Sequence, residues 1–214
     1  MIVKINGNER SRYPELIDQM HVLRKDVFHE RLKWDVEIKG DWEIDKFDDY
    51  DPLYLLSLDD AGYVRGALRL LPTTGPNMLR DIFHCLLPAG EIIESPVIWE
   101  SSRFCVSLRD RDGNRSLSNL NTATAEIIAA MGEVGVLAGL SNIVTVYDHF
   151  LRRIISRAGC DETLVGGPVD IGGVKTYAGM FKVDEYDLEQ FKLRWGLEGD
   201  LINHQEPRVI GAAA

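Results

Sequence analysis

The sequence predicts a mixed α/β fold: a mostly antiparallel central sheet with helices on both faces. Three observations carry this. Strand-like and helix-like stretches follow the order β-α-loop-β-β-α-β-α-β-α-β-β-α, so helices separate only some of the strands. The stretch "LYLLSL", "DDAG", "YVRGALRLLP" reads as a hairpin. No GxGxxG follows a strand and no GxxxxGK[ST] occurs, which argues against a regular dinucleotide-binding or P-loop fold.

The elements follow in order. "MIVKIN" is a short first strand. "YPELIDQMHVLRKDVFHERLKW" places Leu16, Met20, Leu23, Val27 and Phe28 at helical spacing. Residues 33–52 are acidic, aromatic and weakly periodic, and predict a long irregular loop of the kind that is functional or mobile. After the hairpin, "TTGPN" is a turn and "MLRDIFHCLL" a short helix. "PVIWESSRFCV" is the next strand, and "RDRDGNRSLSN" a polar loop. "ATAEIIAAMGEVGVLAGL" is a helix whose small residues permit close packing, and "NIVTVY" is a strand. "DHFLRRIISRAG" is a helix with Asp148 as N-cap and Gly159 as C-cap. "ETLVG" and "VKTYAGMFKV" are two more strands, and "DEYDLEQFKLRWG" is the final helix. "GGPVDIGG" sits between late strands and reads as turn chemistry rather than a phosphate cradle. The tail, about 200–214, is expected to be loose.

With 214 residues and no linker or repeat, one domain over 1–214 is expected. The net charge of -10 argues against a general nucleic-acid binder, which needs a basic footprint. Cys85, Cys105 and Cys160 are far apart and read as reduced thiols of a cytoplasmic protein. No signal peptide or membrane-length apolar run is seen. The five histidines lack metal-ligand spacing, so no metal site is expected.

Within "PVIWESSRFCV", Glu100 and Arg103 interrupt an apolar run. Strict alternation sends residues three apart to opposite faces. Either one faces solvent, or the strand is irregular and both serve a site. Upstream, Arg24 and Phe28 are i, i+4 neighbours on the first helix, with Trp34 just past it. Asp45 and Asp48 lie in the acidic loop, Arg69 in the hairpin's second strand, and Phe83 beyond it. Taken singly, each has an ordinary reading as a solvated charge, a core ring or an internal ion pair.

Together, R-x3-F-x5-W, D-x2-D, an arginine strand, Phe83 and E-x-x-R resemble the LuxI-type acyl-homoserine-lactone synthases. The matching positions are Arg24, Phe28, Trp34, Asp45, Asp48, Arg69, Phe83, Glu100 and Arg103. The likeness is strong over the first half and rests on element order in the second. It implies a fold similar to the GNAT acetyltransferases, in which "SSRFCV" and "NIVTVY" would splay apart to open a cleft. It also implies N-acylation of S-adenosylmethionine (SAM) by an acyl thioester on acyl carrier protein or CoA. Lactone formation with release of methylthioadenosine would follow.

The residue types suit that chemistry. A free α-amine has a pKa near 7.7–8.0, so a modest general base suffices; Glu100 is the candidate, directly or through water. The alternative is that Glu100 orients Arg103, and both roles are compatible. Arg24, Arg69 or Arg103 can hold the SAM carboxylate. Asp45 or Asp48 can balance the sulfonium, and Trp34 or Phe28 can offer it a ring face. Lactonisation is intramolecular and needs a held geometry rather than a protein nucleophile. Cys105 is therefore a packed thiol, while backbone groups of Phe104, Cys105 and Val106 at a bulged strand would meet the thioester carbonyl. Met131, Val136, Leu137, Leu140 and Thr145 are candidates for an acyl tunnel, with Thr145 hinting at 3-oxo chains. Arg152, Arg153 and Arg157 form a basic patch for an acidic carrier or the phosphates of CoA, or else a solvated helix face. SAM is a substrate, and no cofactor is expected. Two rivals remain: a GNAT-type acetyltransferase, whose [QR]-x-x-G-x-[GA] loop is absent after Val106, and a non-catalytic SAM-binding sensor, for which Glu100 would be dispensable.

Overall fold

The computed structural model describes residues 1–108 and 117–202, with the side chains of 117–121 excluded. The polar stretch 109–116 and the tail from 203 onward lie outside the described residues. The chain is α/β, with a mixed, mostly antiparallel sheet flanked by helices. It divides into two compact units.

The first unit comprises residues 1–69, 103–131 and the segment from 197. Strand β1 (Ile2–Asn6) runs antiparallel to β4 (Leu53–Leu58), with Ile2 opposite Ser57 and Asn6 opposite Leu53. A tight turn then leads into β5 (Val64–Pro72). The Asp59 side chain accepts from the Ala61 and Tyr63 amides there, and Gly62 takes a positive φ of 84°. Helix α1 (Pro14–Arg24) starts on Pro14, whose missing N–H costs nothing in a first turn. It buries Leu16, Met20 and Leu23 against Val3, Ile5, Tyr54, Leu56 and Ala67.

The chain then continues as a π-helical segment, Lys25–Arg31, that keeps Val27 and Phe28 in the same core. Wide turns of this kind recur at functional sites because they shift side chains off the regular helical stripe. The predicted irregular loop is more structured than its weak periodicity suggests. It folds into a small hairpin, β2 (Ile38–Lys39) and β3 (Trp42–Glu43), followed by the 3₁₀ turn Lys46–Asp49.

The second unit comprises residues 70–102 and 132–196. Here the first half of β6 (Ile98–Val106) runs parallel to β7 (Asn142–Asp148), pairing Ile98–Ser101 with Asn142–Thr145. On its other side β7 pairs along its whole length with antiparallel β10 (Val174–Lys182), from Asn142 opposite Lys182 to Asp148 opposite Thr176. Short strands β8 (Thr163–Leu164) and β9 (Val169–Ile171) also pair with β10. The predicted turn "GGPVDIGG" thus contains a strand, with Gly172–Gly173 making the turn into β10. The expected helix at 78–87 is shorter: α2 (Met78–Asp81), then a 3₁₀ turn at His84–Leu86.

Helix α3 (Leu117–Leu137) starts in the first unit and ends in the second. Helix α4 (His149–Ala158) has the expected caps: the Asp148 carboxylate accepts from the Leu151 amide, and Gly159 takes φ 88°. Helix α5 (Glu185–Trp195) is capped by Asp184 and Gly196, and its buried Lys192 pairs with Glu133 at 3.1 Å. Among the described residues, no helix is long and apolar enough to cross a membrane.

Candidate active site

Seven of the nine singled-out residues lie in the first unit, and five of those, Arg24, Asp45, Asp48, Arg69 and Arg103, form one connected charged cluster there. Arg24, at the end of α1, is buried. Its Nη1 and Nη2 donate to the two Asp48 oxygens at 2.8 and 2.9 Å, and its Nε donates to Glu43 Oε2 at 2.5 Å. Arg69, on β5, is also buried and donates to Asp48 Oδ1 at 2.9 Å and to Asp45 Oδ1 at 2.5 Å. Arg103, on β6, reaches Glu43 Oε1 at 2.9–3.0 Å and Asp45 Oδ2 at 2.7 Å. Bidentate guanidinium–carboxylate pairs of this sort fix geometry as well as charge.

Glu43 is the member that the sequence reading missed. It is fully buried and bridges Arg24 to Arg103. With it, three arginines face three carboxylates, and the cluster is neutral. Charge counting held the signal: three arginines against Asp45 and Asp48 leave one positive charge over. Glu43, in "DWEIDKFDD", is the acid on the inward side of β3, beside exposed Trp42. His21 fastens that strand, its Nδ1 lying 2.8 Å from the Glu43 carbonyl and its ring stacked on Trp42. Tyr54 adds an O–H bond to Asp48 Oδ1 at 2.8 Å.

Local structure sets the acids in place. Asp45 is the N-cap of the 3₁₀ turn and accepts from the Phe47 amide, while Asp48 reaches back to the Asp45 amide. This is a capping box, read from D-x2-D.

Burial alone would raise the Asp48 carboxyl. The Arg24 and Arg69 guanidiniums and the hydrogen bonds outweigh it and hold Asp48 far below the usual carboxylate range. Asp45 is likewise held down by Arg69 and Arg103 against its burial. For Arg103, burial wins and the pKa falls, though Glu43 and Asp45 offset part of it.

The aromatic pair stands beside the cluster. Phe28 and Trp34 stack with centroids 5.3 Å apart and planes 19° apart. Arg103 lies over the Phe28 ring at 5.4 Å. Phe28 is core, whereas Trp34 is 37% exposed.

Arg103 takes φ 53°, a left-handed conformation rare for a residue with a side chain. It lies within β6 and breaks the alternation expected of a strand. Just beyond it, Cys105 is packed in the core, and burial pushes its thiol up to about 12, so it stays protonated at neutral pH. Phe104 and Val106 flank it on the same strand.

Glu100 and Phe83 belong to the second unit. Glu100 is fully buried, and its two oxygens accept from the Met78 and Leu79 amides at 2.9 and 2.6 Å, capping α2 from outside the helix. Phe83 is half-buried against the core of Leu79, Leu86, Val144 and Ala178.

Of the tunnel candidates, Leu140 is buried, Met131 and Val136 are half-buried, and Leu137 is 69% exposed. Thr145 spends its hydroxyl hydrogen on the Ser101 carbonyl at 2.8 Å. In the basic helix, Arg153 and Arg157 are exposed. Arg152 instead pairs with Glu162, which also accepts from the Tyr147 hydroxyl, and lies over the Tyr177 ring at 4.7 Å. Among the described residues, no group of His, Cys, Asp and Glu is arranged to hold a metal ion.

The fold is that of the GNAT-like acyltransferases. The fold alone is shared with FeeM, an N-acyl amino acid synthase from uncultured soil microbes (TM-score 0.59, 12% identity, 86% of this chain and 96% of that one). The chain belongs to the autoinducer synthase family, whose model matches residues 8–191. It is 39% identical over 191 residues to an acyl-homoserine-lactone synthase of Agrobacterium fabrum, covering 88% of this chain and 89% of the relative. It is 35% identical over 174 residues to one of Pseudomonas aeruginosa, covering 80% and 84%. Among solved structures, it is similar to BjaI, a CoA-dependent acyl-homoserine lactone synthase with SAM and isopentyl-CoA. That match has a TM-score of 0.83 and 28% identity, with 98% and 95% of the chains covered. It is also similar to the AHL synthase LasI, with a TM-score of 0.74, 30% identity, and 96% and 97% covered.

Proposed function

We propose that the chain makes an N-acyl-L-homoserine lactone from SAM and an acyl thioester. The observation that carries this reading is the buried, neutral cluster of Arg24, Glu43, Asp45, Asp48, Arg69 and Arg103 against the Phe28–Trp34 stack. A set of six charges, four of them buried and two half-buried, is an expensive way to hold a fold together. It is a sound way to preorganise fixed dipoles around a ligand that carries an amine, a carboxylate and a sulfonium.

In the first step the SAM amine attacks the thioester carbonyl and the carrier thiol leaves. Glu100, directly or through water, takes the amine proton. Backbone groups at Phe104, Cys105 and Val106 meet the carbonyl oxygen. In the second step the methionyl carboxylate attacks the carbon next to sulfur and expels neutral methylthioadenosine; no protein nucleophile is needed. Trp34 and Phe28 face the sulfonium, and Asp45 and Asp48 supply the negative field. The acyl chain is assigned to Met131, Val136, Leu140 and Thr145, with Leu137 at the tunnel mouth.

The donor is an acyl-carrier protein or acyl-CoA. Exposed Arg153 and Arg157 support an anionic partner of either kind. A CoA donor is favoured in one respect: the match to BjaI, which is CoA-dependent, covers 98% of this chain at 28% identity.

A second reading of Glu100 is favoured by its two amide bonds. Both carboxylate oxygens hold the first amides of α2, which suits a residue that positions that turn. Mass spectrometry of the products tests the whole proposal: no lactone and no methylthioadenosine with either donor refutes it. Glu100→Gln separates the two roles. Loss of kcat with unchanged thermal stability marks the base, and loss of stability with residual kcat marks the positioning residue.

A further inference from the structure

Arg24, Arg69 and Arg103 already hold protein carboxylates, so a substrate anion would have to compete with Glu43, Asp45 and Asp48 for them. Arg31 is different. It ends the π-helical segment, three residues after Phe28 and three before Trp34 in the chain, on the same unit. Its Nη1 donates to the Val106 carbonyl at a long 3.4 Å, which ties it to the end of β6. Among the described residues, that is its one hydrogen bond, and no carboxylate lies within ion-pair distance of it.

Its surroundings agree with the geometry. Partial burial pulls the Arg31 pKa down, offset in part by the Cys105 thiol and by no carboxylate among the described residues, while Arg24 and Arg69 are raised by their carboxylates despite deeper burial. A guanidinium stays charged under these conditions. A partly desolvated cation without a counter-ion is unfavourable, and an incoming anion removes that cost. The residue also reaches solvent, so a ligand has access to it.

We propose that Arg31 is an anion-binding residue of the substrate site, taking one oxyanion of a substrate. This rests on the synthase reading above, whose substrates offer two sources: the α-carboxylate of SAM and the phosphates of the acyl donor. The planar guanidinium fits either in a bidentate fork.

The test uses the full chain with Arg31→Gln and Arg31→Lys. SAM and methylthioadenosine affinities are measured by calorimetry, and KM is measured for acyl-CoA and for the same acyl group on pantetheine. Arg31→Gln is expected to cost about tenfold to hundredfold on one anion, the size of a charged hydrogen bond, with Lys restoring part of it. The melting temperature should not move. Weaker SAM binding with methylthioadenosine unchanged identifies the carboxylate. A raised KM for acyl-CoA with acyl-pantetheine unchanged identifies a phosphate. Unchanged constants for both substrates, or equal losses for SAM and methylthioadenosine, overturn the proposal. A wild-type chain that makes no lactone fails the synthase reading instead, and the calorimetric comparison still decides on Arg31.

Discussion

Glu43→Gln is the sharpest perturbation of the charged cluster. The substitution keeps the side chain's size and removes one negative charge from a site with no solvent access. Three arginines then face two carboxylates. The glutamine carbonyl can still accept from one guanidinium, but its NH₂ must point at the other, donor against donor. Breaking a buried ion pair by removing one partner costs about 3–5 kcal/mol, because the remaining charge is stranded. For a domain of this size each kcal/mol moves the melting temperature by about 2–4 °C, so a drop of roughly 6–20 °C is expected. Glu43→Asp retains the charge and should lose clearly less. The assay is thermal unfolding at low and moderate salt, without ligand, followed by SAM binding well below the transition. SAM binding should weaken as well, because Arg103 loses one of its two anchors. A melting temperature within about 2 °C of wild type would refute the reasoning: the cluster's balance would not depend on Glu43.

Three further outcomes follow from the same geometry. Trp34→Ala should raise the SAM KM with little change in melting temperature, since Trp34 is partly exposed and stacks on Phe28 rather than filling the core; a large thermal loss without SAM would contradict this. His21 has its pKa lowered by burial and by nearby Arg24, so the folded state favours the neutral ring. Its contribution is complete above the unfolded value near 6.5 and shrinks as pH falls below that. Melting temperature should therefore drop more between pH 7.5 and 5.5 in wild type than in His21→Gln, and parallel curves would remove His21 from the account. Reversing Arg153 and Arg157 to Glu should raise the donor KM most at low salt, where exposed charges are least screened. Unchanged donor kinetics at low salt would place docking elsewhere.

Where the sequence was legible, local physics decided the outcome. Asp148, Gly159, Asp184 and Gly196 terminate their helices through short-range hydrogen bonds and a left-handed residue, and nothing distant overrides them. Leu16, Met20, Leu23, Val27 and Phe28 all reach the core because the helical stripe persists into the π-helical segment. The structure of 33–52 was not legible, because its order comes from ionic contacts with α1, β5 and β6 rather than from a periodic apolar pattern. Two residues were passed over for opposite reasons. Glu43 is one acid among many in an acidic stretch, though it is the one that completes the charge balance. Arg31 carries no motif at all; only the saturation of the other three arginines draws attention to it.

The strand that holds Glu100 and Arg103 shows how the two levels meet. Alternation sends residues three apart to opposite faces, so a shared role requires an irregularity between them. The irregularity is at Arg103 itself, whose φ of 53° costs of order 1–3 kcal/mol for a residue with a side chain. Glu43 and Asp45 pin its guanidinium by three contacts of 2.7–3.0 Å and keep it in that conformation. The parallel ladder of β6 with β7 ends two residues earlier, at Ser101 opposite Thr145. On its other side β6 keeps its pairing with β5, and the Ser107 amide donates to the Arg65 carbonyl at 2.8 Å. The acidic segment from Glu43 to Asp45 thus does two things at once: it balances the buried arginines, and it holds Arg103 in its bend.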